Sequence, residues 1–172
     1  IHFNGYRDKE AAGTEVYYCT DRPFGDKSKR LAELTQQSIL QELKGIGYQA
    51  INRGARDDFG AMYPGYHYFE LGPAVSTRPS QMPAIIGEGL FMTNDADAAI
   101  LRSEAGRQAI ARAYANAIVA YFQPPATTNP LNPLPNPLSA TPTPTMPPEL
   151  ERGDPAKPQI ALTFDAGASS QP

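Results

Sequence analysis

An α/β fold, a mixed sheet with helices packed on it, is predicted from three features of the sequence. Residues 14–20, Thr-Glu-Val-Tyr-Tyr-Cys-Thr, are rich in β-branched and aromatic side chains and predict a strand. Residues 27–46 and 103–122 each carry apolar side chains at helical spacing. The apolar run at 84–86, Ala-Ile-Ile, is typical of a short buried strand. Strands and helices that alternate in this way favour a sheet covered by helices.

The predicted helices have clear ends. The first, over 27–46, is followed by a glycine at position 47 that favours a stop. A short helix is predicted over 95–101, because Asn94 is a good cap and Asp97 is placed to complete a capping box. The last, over 103–122, ends before Pro124, which cannot continue the hydrogen-bond ladder. Its predicted buried stripe comprises Ile110, Ala113, Tyr114, Ala117, Ile118 and Tyr121.

Composition excludes several functional classes. The formal net charge of the 172 residues is −3 and no basic stripe is present, which argues against a nucleic-acid partner. The single cysteine, Cys19, cannot form an internal disulfide, and we interpret it as a packed core thiol. No apolar run approaches the roughly 18 residues of a transmembrane segment. The chain begins at Ile1 without a visible signal peptide, and we expect it to be part of a longer protein.

Two segments between the predicted elements are interpreted as loops. Residues 52–58 are polar, and residues 60–82 are aromatic and rich in Gly and Pro. The aromatic loop either lines a groove for sugar or peptide or packs its own rings, and the second interpretation is favoured.

The C-terminal third has a different character. Residues 123–156 are predicted to be an extended linker, because 123–148 contain ten prolines and cannot build a core. Residues 157–172 are predicted to begin a second domain, with a strand over 160–164 that ends at Asp165. A lone strand is not stable by itself, so the rest of such a domain would lie beyond residue 172.

Two residues suggest metal-assisted hydrolysis. Glu88 closely follows the apolar run at 84–86, at the strand end where crevices of α/β sheets lie. His2 stands where a short strand enters a loop. Zinc binds imidazole and carboxylate, and a nearby carboxylate can accept a proton from water. From these two residues alone, a surface histidine and a salt-bridged glutamate are the favoured interpretation over a metal site.

Residues 1–122 resemble the C-terminal portion of the zinc-dependent N-acetylmuramoyl-L-alanine amidases, which cleave bacterial cell wall. Six blocks carry the resemblance in the right order and spacing. They are Ile-His-Phe-Asn-Gly at 1–5, the strand at 13–18, the helix at 28–43, Arg-Gly at 53–54, Pro-Ala-Ile-Ile-Gly-Glu-Gly-Leu-Phe-Met-Thr-Asn at 83–94, and the closing helix at 110–122. The fourth resembles the family's Arg-Gly loop, and the fifth resembles its Pro-Ala-x-Leu-x-Glu-x-Gly-Phe-Leu-Ser-Asn.

The resemblance implies a mechanism and a setting. His2 would be a zinc ligand, and Glu88 the catalytic carboxylate that takes a proton from the attacking water. Zinc would stabilise the oxyanion that develops as the amide between N-acetylmuramic acid and L-alanine is cleaved. The substrate would be peptidoglycan, and the protein would act outside the bacterial cytoplasm, in the periplasm or extracellularly.

The sequence departs from the family pattern at several points. Leu90 replaces a glycine and Phe3 replaces a small residue, and both are expected to narrow or reshape the cleft. The family's other two zinc ligands, a His in an Asp-Pro-Gly-His block and a later Glu, precede the block that matches 1–5. His67, the other histidine, falls where the family has no ligand, and we interpret it as a non-ligand. The chain by itself is therefore expected to bind zinc poorly and to be inactive.

The last residues resemble a second family. Residues 160–167, Ile-Ala-Leu-Thr-Phe-Asp-Ala-Gly, resemble the Leu-Thr-Phe-Asp-Asp-Gly strand of polysaccharide deacetylases. Asp165 would be the catalytic base there, and Ala166 replaces a residue that normally ligates the metal. Two alternatives to an amidase follow: a non-catalytic peptidoglycan-binding region, or a targeting region for a deacetylase.

Overall fold

The computed structural model describes residues 1–61, 64–73 and 79–123. Within these ranges the chain forms four strands and three helices, which confirms the predicted α/β class. The strands are β1 (His2–Asn4), β2 (Thr14–Tyr18), β3 (Asn52–Asp57) and β4 (Ile86–Phe91), and the helices are α1 (Gly25–Gly45), α2 (Asp95–Arg102) and α3 (Glu104–Phe122). The predicted linker beyond Gln123, the predicted strand at 160–164 and Asp165 lie outside the described residues.

The four strands form one mixed sheet in the order β1-β4-β2-β3. The pairs β1–β4 and β2–β3 are parallel, and the central pair β2–β4 is antiparallel. The two central strands are buried along almost their whole length, whereas no residue of β3 is fully buried. Residues on β2 and β4 are therefore held by neighbours on both sides.

Helices α1 and α3 pack on one face of the sheet. They contribute most of the main core, whose buried members are Val16, Tyr18, Ala32, Ile39, Leu43, Leu90, Ala109, Ile110, Ala113 and Tyr114. Small residues bring α3 close to β4: a Cβ added to Gly87 would lie only 2.1 Å from the Tyr114 hydroxyl oxygen. Because side chains alternate along a strand, this core leaves the opposite face of the central strands for other contacts.

The opposite face carries a smaller apolar cluster beside its polar residues. Tyr17, Cys19, Leu71 and Ile86 are buried there, with Tyr68 packed against them. Leu71 and Tyr68 belong to the aromatic loop, which confirms that part of this loop packs its own apolar side chains on the protein.

The start of α2 differs from the prediction. Asn94 is the N-cap, and its side-chain oxygen accepts hydrogen bonds from the backbone N–H groups of Ala96 and Asp97. Asp97 does not complete a capping box, because its carboxylate turns inward and is fully buried. One oxygen accepts from the backbone N–H groups of Gly13 at 2.8 Å and Phe91 at 3.0 Å, and the other accepts from the Tyr48 hydroxyl.

Two strand predictions were wrong. The polar segment 52–58 was interpreted as a loop, but most of it forms β3, which pairs in parallel with β2 along the edge of the sheet. An edge strand needs few apolar residues, so its sequence gives little signal. The second strand runs over 86–91 rather than 84–86, and Glu88 lies inside it rather than beyond its end. Gly87 and Gly89 weaken the sequence pattern of this strand, because glycine is uncommon in strand interiors.

Candidate active site

His2 and Glu88 lie next to each other on neighbouring strands. They are Cα partners in the parallel pairing of β1 with β4. Partners in a sheet project their side chains from the same face, so the imidazole and the carboxylate share one side of the sheet. The two residues that sequence analysis selected, 86 positions apart in the chain, are thus brought together by the fold.

A second carboxylate stands on the other side of Glu88. Glu15 is its Cα partner in the antiparallel pairing of β2 with β4. His2, Glu88 and Glu15 therefore form a row across three adjacent strands, on the face opposite α1 and α3. We call this row, together with Asn4 and Arg53, the polar sheet face.

Glu15 is buried, and both oxygens of its carboxylate accept hydrogen bonds. The Asn4 side-chain amide donates to Oε1 at 2.7 Å. The guanidinium groups of Arg53 and Arg56 donate to Oε2 at 3.1 and 3.3 Å. Arg53 also lies over the ring of Phe91, 5.0 Å from its centroid. Two cations and an amide fix this carboxylate in one position, which is how a buried charge is tolerated.

Glu88 has the opposite environment. Its Oε2 atom is buried and has no hydrogen-bond partner among the described residues. Burial raises the pKa of Glu88 to about 7, and the negative charge of Glu15 acts in the same direction. A carboxylate with a pKa near neutrality and a free oxygen is suited to accept and return a proton.

The strand pairing is irregular beside this pair. The register shifts between His2–Glu88 and Asn4–Phe91, which marks a bulge in β4. Past the bulge, Leu90 is fully buried in the main core, so the expectation that it narrows the cleft was wrong. Phe3 remains near the site, since a Cβ on Gly89 would lie 3.0 Å from the Phe3 ring.

An open depression of about 650 Å³ lies where β1 and β4 end. It is lined by Gly5, Tyr6, Arg7 and Thr93. The Tyr6 side chain is exposed, and the Tyr6 backbone N–H donates to the Thr93 hydroxyl at 3.0 Å. The depression adjoins the strand that carries His2 and offers a cation and an aromatic ring to a ligand.

Comparison with known proteins gives the family of this chain. The profile of the family described as N-acetylmuramoyl-L-alanine amidase matches residues 1–120. The chain belongs to the N-acetylmuramoyl-L-alanine amidase family.

Relatives of this amidase-family chain share its fold over about half of their length. The N-acetylmuramoyl-L-alanine amidase AmiC2 of Nostoc punctiforme is 29% identical with a TM-score of 0.50, and the match covers 70% of this chain and 54% of that one. The N-acetylmuramoyl-L-alanine amidase from Clostridium difficile 630 is 24% identical with a TM-score of 0.52 over the same shares. The uncharacterized protein YqiI of Bacillus subtilis (strain 168) is 33% identical over 113 residues, which are 65% of this chain and 45% of YqiI.

The polar sheet face carries two side chains of types that can bind metal ions. His2 supplies an imidazole, and the unpartnered Glu88 Oε2 supplies a buried oxygen beside it. Among the described residues, the one group of three or more potential ligands with converging donor atoms is elsewhere, at Cys19, Asp58 and His67. His2 and Glu88 are thus compatible with a divalent cation but do not enclose one.

Three residues of the site were not predicted from the sequence: Glu15, Arg53 and Arg56. Glu15 lies in the matched strand block and Arg53 in the matched Arg-Gly block, yet neither was assigned a role, and Arg56 was not considered. The available signal was Glu15 itself, the one charged residue inside a strand rich in β-branched and aromatic side chains. A carboxylate in such a strand needs a partner, and the arginines of the next polar segment were the nearest candidates.

Among the described residues, no helix combines the length and apolarity needed to cross a membrane.

Proposed function

We propose that this chain is part of an enzyme that hydrolyses the amide between N-acetylmuramic acid and L-alanine in bacterial peptidoglycan. The observation that carries the proposal is the register of His2 with Glu88, whose buried Oε2 atom has no hydrogen-bond partner among the described residues, within a member of the amidase family. Because the chain spans about half the length of its relatives, the activity belongs to the whole protein.

Glu88 is the general base in this proposal. Its carboxylate accepts a proton from the attacking water and returns it to the departing amine of L-alanine. His2 is one ligand of a divalent cation, zinc by the family resemblance, and further ligands must come from residues other than these two. When bound, such a cation would polarise the scissile carbonyl as a Lewis acid.

Glu15 is a positioning residue in the same proposal. Its hydrogen bonds to Asn4, Arg53 and Arg56 hold a fixed negative charge beside Glu88. That charge favours the protonated form of Glu88 and so makes its carboxylate a stronger base towards the attacking water. The arginines also leave the face with positive charge near its rim, suited to an anionic stem peptide.

The cell envelope is the proposed place of action, since peptidoglycan lies outside the cytoplasm. The segment 123–156 is proposed to be a Pro-rich tether, and 157–172 to be the start of a polysaccharide deacetylase domain with Asp165 as its base. The proposal of a deacetylase domain is supported by the motif at 160–167 alone.

Digestion of purified peptidoglycan by the complete protein tests the reaction class. We expect new N-terminal L-alanine to accumulate with time, with no matching rise in reducing sugar, because an amide and not a glycosidic bond is cut. Release of acetate without N-terminal alanine would favour the deacetylase with this region as a targeting module. Binding to peptidoglycan without any product would favour the non-catalytic alternative.

A further inference from the structure

Three metal-binding side chains converge beyond the ends of two neighbouring strands. Cys19 follows β2, Asp58 follows β3, and His67 lies in the aromatic loop. The Cys19 sulfur is 3.4 Å from His67 Nδ1, and Asp58 Oδ1 is 2.7 Å from the same nitrogen. Cys19 and Asp58 are almost fully buried, and the His67 side chain is 10% exposed.

We propose that Cys19, Asp58 and His67 bind a divalent transition-metal ion, with zinc the best match, at a site separate from His2 and Glu88. A thiolate, an imidazole and a carboxylate form a mixed donor set that suits zinc and argues against calcium or magnesium. This site goes beyond the proposed amidase activity and does not depend on it.

The distances fit a tetrahedral ion with small adjustments. The three donor atoms all lie within 4.8 Å of one another. Bond lengths of about 2.3 Å to sulfur and 2.0 Å to nitrogen place the two donors about 3.5 Å apart at a tetrahedral angle, close to the observed 3.4 Å. The shorter contact between Asp58 and His67 must open by about half an ångström. Three protein ligands leave a fourth position for water.

The surrounding contacts orient the ligands as metal sites require. His67 Nε2, the ring nitrogen that would not bind the ion, lies 3.2 Å from Asp21 Oδ2. A carboxylate on the distal nitrogen is the usual means of fixing a ligating histidine. The Tyr68 backbone N–H donates to Asp58 Oδ2 at 2.8 Å, which leaves Oδ1 directed at the cluster.

The alternative to a metal is an ion pair between a protonated His67 and the two aspartates. That arrangement accounts for Asp21 and Asp58 and leaves Cys19 as a packed core thiol, but it does not require the Cys19 sulfur to lie 3.4 Å from His67 Nδ1. Metal binding has a cost here, since burial raises the pKa of the Cys19 thiol to about 11 and an ion must displace its proton. A bound ion should therefore release a proton and remove the thiol's reactivity.

An ion at this site would link His67 of the aromatic loop to Cys19 and Asp58, which follow two strands of the sheet. Tyr68 follows His67 and packs on Tyr17, with ring centroids 5.2 Å apart. Tyr17 lies on β2 two residues beyond Glu15, on the same face. Four residues of extended chain place Cys19 about 13 Å from Glu15, too far for a shared ion. The site would thus anchor the loop that borders the polar sheet face.

Cobalt(II) titration of the 172-residue chain tests the proposal. The protein is stripped with a chelator, kept reduced with a phosphine, and titrated with Co²⁺. We expect a thiolate-to-cobalt charge-transfer absorption that saturates at one ion per chain and disappears when Zn²⁺ is added. Cys19 is the one cysteine of the sequence, so this absorption reports its coordination and nothing at His2.

Variants separate this site from the candidate active site. Cys19→Ser should abolish the absorption, and His67→Ala should weaken Co²⁺ binding at least about tenfold. His2→Ala should leave both unchanged. As a second readout, Zn²⁺ should protect Cys19 from alkylation in the parent chain and not in His67→Ala. No absorption from a chain that is folded by circular dichroism would overturn the proposal. Equal absorption in His67→Ala would also overturn it, because Cys19 would then bind cobalt without the cluster.

Discussion

Replacing Asp97 with alanine is expected to lower the free energy of unfolding by about 3–5 kcal/mol. The buried carboxylate accepts hydrogen bonds from the backbone N–H groups of Gly13 and Phe91 and from the Tyr48 hydroxyl. These donors belong to three separate parts of the chain: the turn before β2, the end of β4 and the segment after α1. Alanine would leave all three without an acceptor in the protein interior. Urea unfolding followed by far-ultraviolet circular dichroism measures the loss.

Asp95→Ala is the matched control for this prediction. Asp95 lies in the same first turn of α2, but its side chain is exposed. The Asp95→Ala substitution removes the same charge from the same helix end, and it should lower the free energy of unfolding by less than about 1 kcal/mol. Equal losses in the two variants would mean that Asp97 acts through the helix dipole rather than by joining the three segments.

Replacing Glu88 with glutamine is expected to stabilise the metal-free chain at alkaline pH. The pKa of Glu88 is raised in the folded state from 4.5 to about 7. A carboxyl group of this kind favours folding below its unfolded pKa, and that advantage is lost as pH rises through the folded pKa. Glutamine stays neutral throughout, so it should gain about 3 kcal/mol over the parent near pH 8 and almost nothing near pH 4.

The control for charge alone is Glu10→Gln, at an exposed position outside the polar sheet face. It should not reproduce the pH-dependent gain. Both variants are unfolded in urea with a chelator present, so that no ion contributes. A Glu88→Gln chain that is less stable than the parent near pH 8 would show that ionised Glu88 has a stabilising partner.

The two long helices and the fold class could be predicted because their signal is local and periodic. In α1 and α3 most of the apolar stripe is buried in the core against the sheet, as Ile39, Ala113 and Tyr114 illustrate. Ile118 and Tyr121 of the predicted stripe are only partly buried. The ends of both helices fell within two residues of the prediction. A helix that covers one face of a sheet must show this period, so the sequence alone was sufficient.

The wrong predictions share a different cause. The edge strand β3 is polar, and β4 is interrupted by Gly87 and Gly89, so neither has a clear period. Both strands exist because the backbone of β2 lies between them and pairs with each. Pairing between distant segments has no local signature in the sequence. For the same reason Asp97 was assigned to a helix cap, although its buried carboxylate accepts hydrogen bonds from three separate segments.

The site was predicted only in part for the same reason. The family resemblance selected His2 and Glu88, and the sheet places them in register. Nothing in one sequence says that β2 pairs with β4 at Glu15, or that Arg53 and Arg56 reach the same carboxylate. His67 was interpreted as a non-ligand from its position in the family pattern. Its closeness to Cys19 and Asp58 depends on three segments that only the fold brings together.

The most direct test of the central proposal is the rate of muramoyl–L-alanine cleavage by the complete protein and its Glu88→Gln variant. The variant keeps the size and shape of the side chain but cannot accept a proton. With Glu88 as the general base, we predict that the rate of N-terminal L-alanine release falls by about 10²- to 10⁴-fold, while peptidoglycan binding is retained. A variant that releases L-alanine at the parent's rate would contradict the assigned role of Glu88 and the active site built around it.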